Sequence, residues 1–414
     1  MTVPRVLLLS TWSPSYKHAG TVFHETLVEH YPAGKLCCFF LSPDLNIVSH
    51  PRHFAGAPVY YASLPREHAI RPFGPRIGHL STFILHQYIR HVRTHSLLRK
   101  AAQIAQNFNV DMIWAPLILP TLIYMAKRLA DDLRLPLITS VMDPPERPAF
   151  DKRIDSLSTH TMQRIFVETL QRSERCSVAS WAMKEEYETR YGVNSVVLIH
   201  GVHPNLIHPP ATQLAGKETL VIGFAGLMYA HNEWKALLEA LSSVDWRIDK
   251  RKIIVRVLSE WVPIQAKGRL HIELLGWRSL KETIDIMSSV DIAYVPYWFD
   301  KAMSSSVRLC FPNKLSAYLA AGRPVLYHGP EDASPAQFIK KYGVGTCCHS
   351  CRKSDIIKSL THFVSHTDLY AQAARQAHLA VEQELNLRVF LRRFAELLGI
   401  DETELLPMSE PAAL

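Results

Sequence analysis

Short apolar runs alternate with stretches of helical spacing along most of the chain. Val6 to Leu9 closes on Ser10, the pattern of a strand buried on both faces of a parallel sheet. Thr21 to His30 has helical spacing, and Leu36 to Leu41 and Pro58 to Ala62 predict two further strands. Ser81 to Asn107 predicts a long helix, Met112 to Ala115 a strand, Leu119 to Leu133 a helix and Pro136 to Val141 a strand. Val178 and Ala179 end a short strand, Ser180 is placed to cap a helix running to about Arg190, and Val196 to Ile199 is another strand.

Periodicity then lapses from His203 to Gly216, where Pro, His and Asn collect. A second alternating series follows: strands at Thr219–Phe224, Ile253–Leu258, Leu270–Leu274, Ile292–Val295 and Pro324–Tyr327. Helices are predicted at Glu233–Leu241, Leu280–Ser288, Lys314–Ala321, Asp355–Val364, Leu369–Leu385 and Leu387–Leu398. Two such series predict an α/β protein of two Rossmann-like, doubly wound parallel-sheet domains. The expected division is 1–204, a linker at 205–214, a second domain at 215–385, and 386–414 as a helix returning to the first domain plus a tail. Ligands of such sheets sit outside the carboxyl ends of the strands, so the two domains are expected to face each other across a cleft.

Composition changes this picture little. Of 414 residues 48% are hydrophobic and 20% charged, which excludes a disordered chain. Seven cysteines, an odd number in a long chain, argue against a disulfide framework. The start lacks the long apolar stretch of a signal peptide, and no apolar run approaches the ~18–20 residues of a membrane span. A cytoplasmic protein is expected. Charge adds more. Between Pro51 and Lys100 seven arginines and one lysine face a single acidic residue, Glu67. That field attracts anions, and with the apolar residues of 80–97 it makes an anionic membrane surface at the inner face a candidate partner. Nucleic acid is not expected, because no aromatic stacking platform accompanies the charge.

The segment from Phe311 to Tyr327 carries the most chemistry. Pro312 restricts the chain ahead of a helix, and Gly322 and Pro324 end it before a strand. The helix starting near Asn313 would aim backbone N–H groups at the preceding loop, and Lys314 adds a full charge. Together they predict a diphosphate cradle. This segment resembles the donor-site motif of family-4-type retaining glycosyltransferases with the GT-B fold, in its proline, lysine, Tyr-Leu-Ala-Ala-Gly helix end and Arg-Pro-Val. Phe224-Ala-Gly-Leu-Met-Tyr229 resembles the glycine turn opening that family's second domain. Ala179 to Gly192 with His200-Gly-Val202, and Asp291 to Pro296, resemble two further segments. The resemblance covers most of the chain from Ser180 to Gly345.

It implies transfer of a sugar from a nucleotide-sugar donor to an acceptor hydroxyl with retention, in polysaccharide or glycoconjugate synthesis. The donor is a co-substrate, no separate cofactor or metal is expected, and the acceptor is a glycan, a lipid-linked or a small molecule. Donor contacts are expected from Gly20, Gly226, Lys235, Ser305, Asn313, Lys314 and Glu331. His18 in the first loop and Asp143, after the strand ending at Val141, are the candidate catalytic residues. One departure matters. The family's glutamate pair falls on Leu309 and Ala317, neither of which accepts a hydrogen bond through its side chain. This keeps two alternatives open: a catalytically degenerate nucleotide-sugar-binding partner protein, and a sugar-nucleotide epimerase on the same fold. Cys347-Cys-His-Ser-Cys351 lacks the second ligand pair that a zinc site wants.

Overall fold

The computed structural model describes residues 3–11, 19–43, 53–54, 56–68, 75–216, 218–263 and 270–406. They divide into two compact units, one built from Met1–Leu198 with Leu391–Ser409, the other mainly from Ile199–Phe390.

Unit 1 is built on strands β1 (Val6–Ser10), β2 (Leu36–Ser42), β3 (His53–Phe54), β4 (Ala57–Ser63), β5 (Met112–Pro116), β6 (Leu137–Val141), β7 (Arg175–Val178) and β8 (Ser195–Val197). They pair in the order β3-β4-β2-β1-β5-β6-β7-β8, all parallel except for β3. Residues in β1, β2, β5 and β6 are buried without alternation, because helices cover both sheet faces. The helices are α1 (Ala19–Glu29), α2 (Pro75–Tyr88), α3 (Thr94–Phe108), α4 (Pro120–Leu133), α5 (Glu146–Lys152), α6 (Ser156–Arg172) and α7 (Trp181–Tyr191). The long helix expected from Ser81 begins earlier, at Pro75, and is interrupted by a π turn at Ile89–Arg93 that joins α2 to α3. Ser180 caps α7 as expected, its Oγ accepting from the Met183 N–H at 3.0 Å.

Unit 2 holds β9 (Thr219–Ala225), β10 (Arg247–Ile248), β11 (Arg251–Leu258), β12 (Ile272–Leu274), β13 (Ile292–Pro296), β14 (Val325–His328) and β15 (Gly345–Cys348). Their order is β10-β11-β9-β13-β14-β15, and β12 shares the outer edge of β11 with β10. Only β10 is antiparallel, in a hairpin whose turn residues Asp249 and Lys250 both have positive φ. The helices are α8 (His231–Ser243), α9 (Leu280–Met287), α10 (Ser304–Leu309), α11 (Lys314–Ala320), α12 (Ser334–Tyr342), α13 (Lys353–Ser365), α14 (Thr367–Ala380) and α15 (Leu387–Leu398), of which α15 runs on into unit 1. Its core gathers Phe224, Trp234, Val255, Val257, Tyr294 and Tyr370.

The stretch read as a linker is tied to the second unit. His208 donates its backbone N–H to Ala320 and Ala211 donates to Gly322, so 208–211 runs against the end of α11. Gly322 is required there. Its φ is +69°, and a Cβ would stand 2.3 Å from the Pro209 oxygen.

Candidate nucleotide-binding site

The apolar residues of β9 lead to Ala225, where the strand ends and Gly226 turns the chain at φ +89°. The turn is pinned from α11. Tyr318 is fully buried, and its hydroxyl accepts the Ala225 N–H at 2.6 Å while donating to the Ala225 carbonyl at 3.0 Å. One turn earlier on the same helix, Lys314 reaches the same place. Its Cε lies 4.0 Å from where a Cβ on Gly226 would stand, an ordinary contact distance, so what calls for glycine there is the positive φ and not lack of room.

The Lys314 ammonium sits 4.2 Å from the Phe224 ring centre and 4.6 Å from that of Tyr229, and donates to the Leu227 carbonyl at 3.2 Å. Aromatic faces attract a cation but replace few of its water hydrogen bonds. Lys314 as a whole is half-buried, and two aromatic rings flank its charged end. The resulting desolvation pulls its pKa down from 10.5 to about 7. The group is a cation short of counter-charge, at the carboxyl end of β9.

Its surroundings are rigid. Trp298 donates through Nε1 to the Tyr229 carbonyl at 3.0 Å, with ring centres 4.4 Å apart. Glu233, buried in the first turn of α8, accepts the Phe299 N–H at 2.8 Å and so fixes the loop leaving β13. At the end of β14, His328 Nε2 faces the Ser350 carbonyl at 3.0 Å and must carry the proton there. Its Nδ1 therefore accepts from the Tyr294 hydroxyl at 2.8 Å, which leaves no proton for the longer 3.2 Å approach of that hydroxyl to the Glu233 carbonyl. Burial pushes the His328 pKa down to about 4, consistent with a neutral ring. The Tyr229 hydroxyl is buried and has no hydrogen-bond partner among the described residues.

No protein-family model matches the sequence, and no curated protein does. Solved structures do match the coordinates. Anabaena HepE, determined with bound UDP, superposes with a TM-score of 0.67 at 14% identity, over 95% of this chain and 99% of that one. Sucrose-phosphate synthase of Thermosynechococcus elongatus gives 0.66 at 10% identity, over 95% and 98%. A glycosyltransferase of Rickettsia africae gives 0.62 at 14% identity, over 96% and 98%. The chain has the GT-B fold.

On this GT-B framework the expected site residues separate. Gly226 and Lys314 come together as described, with Asn313 exposed one residue ahead of α11. The helix itself is only seven residues long, so attraction for an anion rests on the lysine charge more than on a dipole. Lys235 does not join them. It lies on the outer face of α8, its side chain 66% exposed and 3.9 Å from Glu239, an ordinary i,i+4 surface pair. Ser305 lies in α10, the short helix ahead of α11. Glu331 stands exposed in the turn after β14. In unit 1, Gly20 lies at the start of α1 and Asp143 is exposed in the bend after β6. His18 lies outside the described residues.

One buried group in unit 1 escaped the sequence reading. Glu67, 1% exposed, follows β4 and accepts from both the N–H (2.8 Å) and the hydroxyl (2.7 Å) of Thr121 at the start of α4. Its other oxygen has no partner among the described residues, and burial raises its pKa. As the one acid in a basic stretch it was visible, but nothing local pointed it at a helix start 54 residues on.

The Tyr318 clamp makes a direct prediction. Tyr318→Phe leaves the buried N–H and carbonyl of Ala225 without these bonds, and should cost about 2 kcal/mol of stability. Freed from its clamp, the Gly226 turn should also bind nucleoside diphosphate less tightly. Thermal melts and calorimetric titration with UDP check both; unchanged values in both would show that the clamp is idle.

Proposed function

We propose that the protein is a glycosyltransferase that moves a sugar from a nucleoside-diphosphate sugar to an acceptor hydroxyl. The observation that carries this reading is the Lys314 ammonium, held at the Gly226 turn between two aromatic rings with one carbonyl partner. A diphosphate placed there would complete its coordination. The fold supports the reading, since HepE has been solved with UDP and with UDP-glucose. In this reading Lys314 holds the diphosphate. As the glycosidic bond to phosphate breaks, negative charge grows on the leaving group, and a fixed ammonium in a desolvated setting stabilises it. Asp143, at the carboxyl end of β6, positions the acceptor hydroxyl. Retention at the anomeric carbon follows from the family resemblance, and the lysine charge serves where other transferases use a metal ion.

A second reading is kept by one observation. Ala317 and Leu309 are apolar and buried, so the ribose lacks the carboxylate contact that the family pattern would put there. A protein that binds the donor without turning it over fits this equally.

Melting curves against UDP, ADP, GDP and TDP, followed by release of nucleoside diphosphate from the corresponding sugars, separate the two. Ligand that binds the folded state raises the melting temperature, by an amount set by RT ln(1 + [L]/Kd). A shift with one diphosphate and its release from the matching sugar with an acceptor supports the transferase. A shift without release selects the donor-binding reading, and no shift with any nucleotide removes both.

A further inference from the structure

One face of the long basic helix of unit 1 is apolar and open to water. Leu80, Ile84, Tyr88 and Val92 are 60%, 59%, 47% and 55% exposed. They recur every four residues, a step that overshoots a full α-helical turn by about 40°. A stripe at that spacing winds off its face within a few turns. Here residues 89–93 form a π turn, whose i→i+5 bonding places more residues in each turn. The step from Tyr88 to Val92 falls in that turn, so it rotates less than an α-helical step and keeps Val92 from drifting further off the face. Thr94 secures the turn, its hydroxyl donating to the Ile89 carbonyl at 2.8 Å. The opposite face, with Thr82, His86 and Ile89, is buried in the unit.

Charge frames the stripe. No Asp or Glu stands between Glu67 and Asp111. His79, His91, His95 and Arg99 are exposed along the same run, and Arg90 and Arg93 are half-buried. Exposed apolar side chains on a run whose own charges are all basic match a surface that is oily within and anionic outside. A second copy of the chain would set like charges against each other.

We propose that this face docks the protein on an anionic lipid surface, with the stripe from Leu80 to Val92 entering the acyl boundary and the basic residues lying among the phosphates. No helix among the described residues is long and apolar enough to cross a membrane.

The full chain without nucleotide should float with vesicles of phosphatidylcholine plus phosphatidylglycerol, more weakly as salt rises, and poorly with phosphatidylcholine alone. The double variant Ile84→Glu with Tyr88→Glu replaces exposed side chains, and should lose at least ~10-fold in vesicle affinity with an unchanged melting curve. If that variant misfolds, Tyr88→Trp serves instead. The difference between its emission and that of the unsubstituted protein should shift blue on the anionic vesicles and be quenched by brominated acyl chains. Equal binding to both vesicle types, full binding by the double variant, or a difference emission from Tyr88→Trp that stays unshifted on bound vesicles overturns the proposal. So does a dimer that the double variant splits while no vesicle binding is seen.

Discussion

Lys314→Met is expected to raise the melting temperature of the ligand-free protein near neutral pH while weakening nucleoside-diphosphate binding about 10- to 100-fold. The two effects have one cause. Burial has lowered the folded-state pKa from 10.5 to about 7. Between those values the unfolded chain holds a proton that the folded chain has shed, so stability rises with pH from about 7 towards 10. Below about 7 the folded protein carries the desolvated cation and its full penalty. Methionine keeps the length and the apolar contacts of the stem and removes both the penalty and its pH dependence. A bound diphosphate, by contrast, needs the ammonium. Its affinity for the natural protein should therefore decline as pH rises through about 7. Lys314→Arg, charged throughout, should flatten that decline. Melting curves and UDP titrations on both sides of neutrality test this. A methionine variant that melts lower, or binds UDP unchanged, would mean that Lys314 holds the fold together and not the ligand.

Gly322→Ala should be the most damaging of the single substitutions considered. An L-residue at φ +69° costs about 1–2 kcal/mol, and overlap with the Pro209 carbonyl about 1–3 more. A loss on the order of 3 kcal/mol is expected, with a clear drop in the unfolding temperature of unit 2. Nucleotide binding should weaken too, because the strained end of α11 belongs to the helix that presents Lys314 and Tyr318. An unchanged melt would mean that the 208–211 segment moves aside without cost and does not brace the helix.

The parts of this structure that were legible in the sequence are those set by local pattern. Continuous apolar runs such as Leu36 to Leu41, too short for a helix and carrying aromatics, read as strands buried on both faces. Ser180 before a helical run, and Gly322 with Pro324 after one, mark boundaries by backbone chemistry. What was missed depends on contacts distant in sequence. The helix α6 went unread because its buried residues, Met162, Phe166 and Leu170, are sparse among polar neighbours, although Asp155 accepting from Ser158 is an N-cap visible in the sequence. The short helix α10 over Ser304–Leu309 was not predicted, since small polar residues suit loop or helix until packing decides. At the site, the pairing of Lys314 with the Gly226 turn was legible through recurring motifs. The rings that flank the ammonium were not, because no spacing tells which aromatics a strand end will turn towards a helix so far along the chain. Lys235 shows the converse, a basic residue near the right place in sequence that helical phase directs into water.

The return of residues 391–406 to unit 1 has a consequence for synthesis. Phe394 lies against Trp114 and Tyr31, with ring centres 5.3 and 6.2 Å apart, and the Leu406 N–H bonds the His30 carbonyl at 2.8 Å. A ribosome delivers about 5–20 residues each second, and domains usually close as they emerge. Unit 1 is completed only after unit 2 has been made. Its first stretch, Met1–Leu198, leaves the ribosome with an apolar face open, and that face waits until all of unit 2 has been made. For those tens of seconds the nascent chain needs a chaperone's cover, or the early folding of unit 2, to keep Trp114 and its neighbours from other partners.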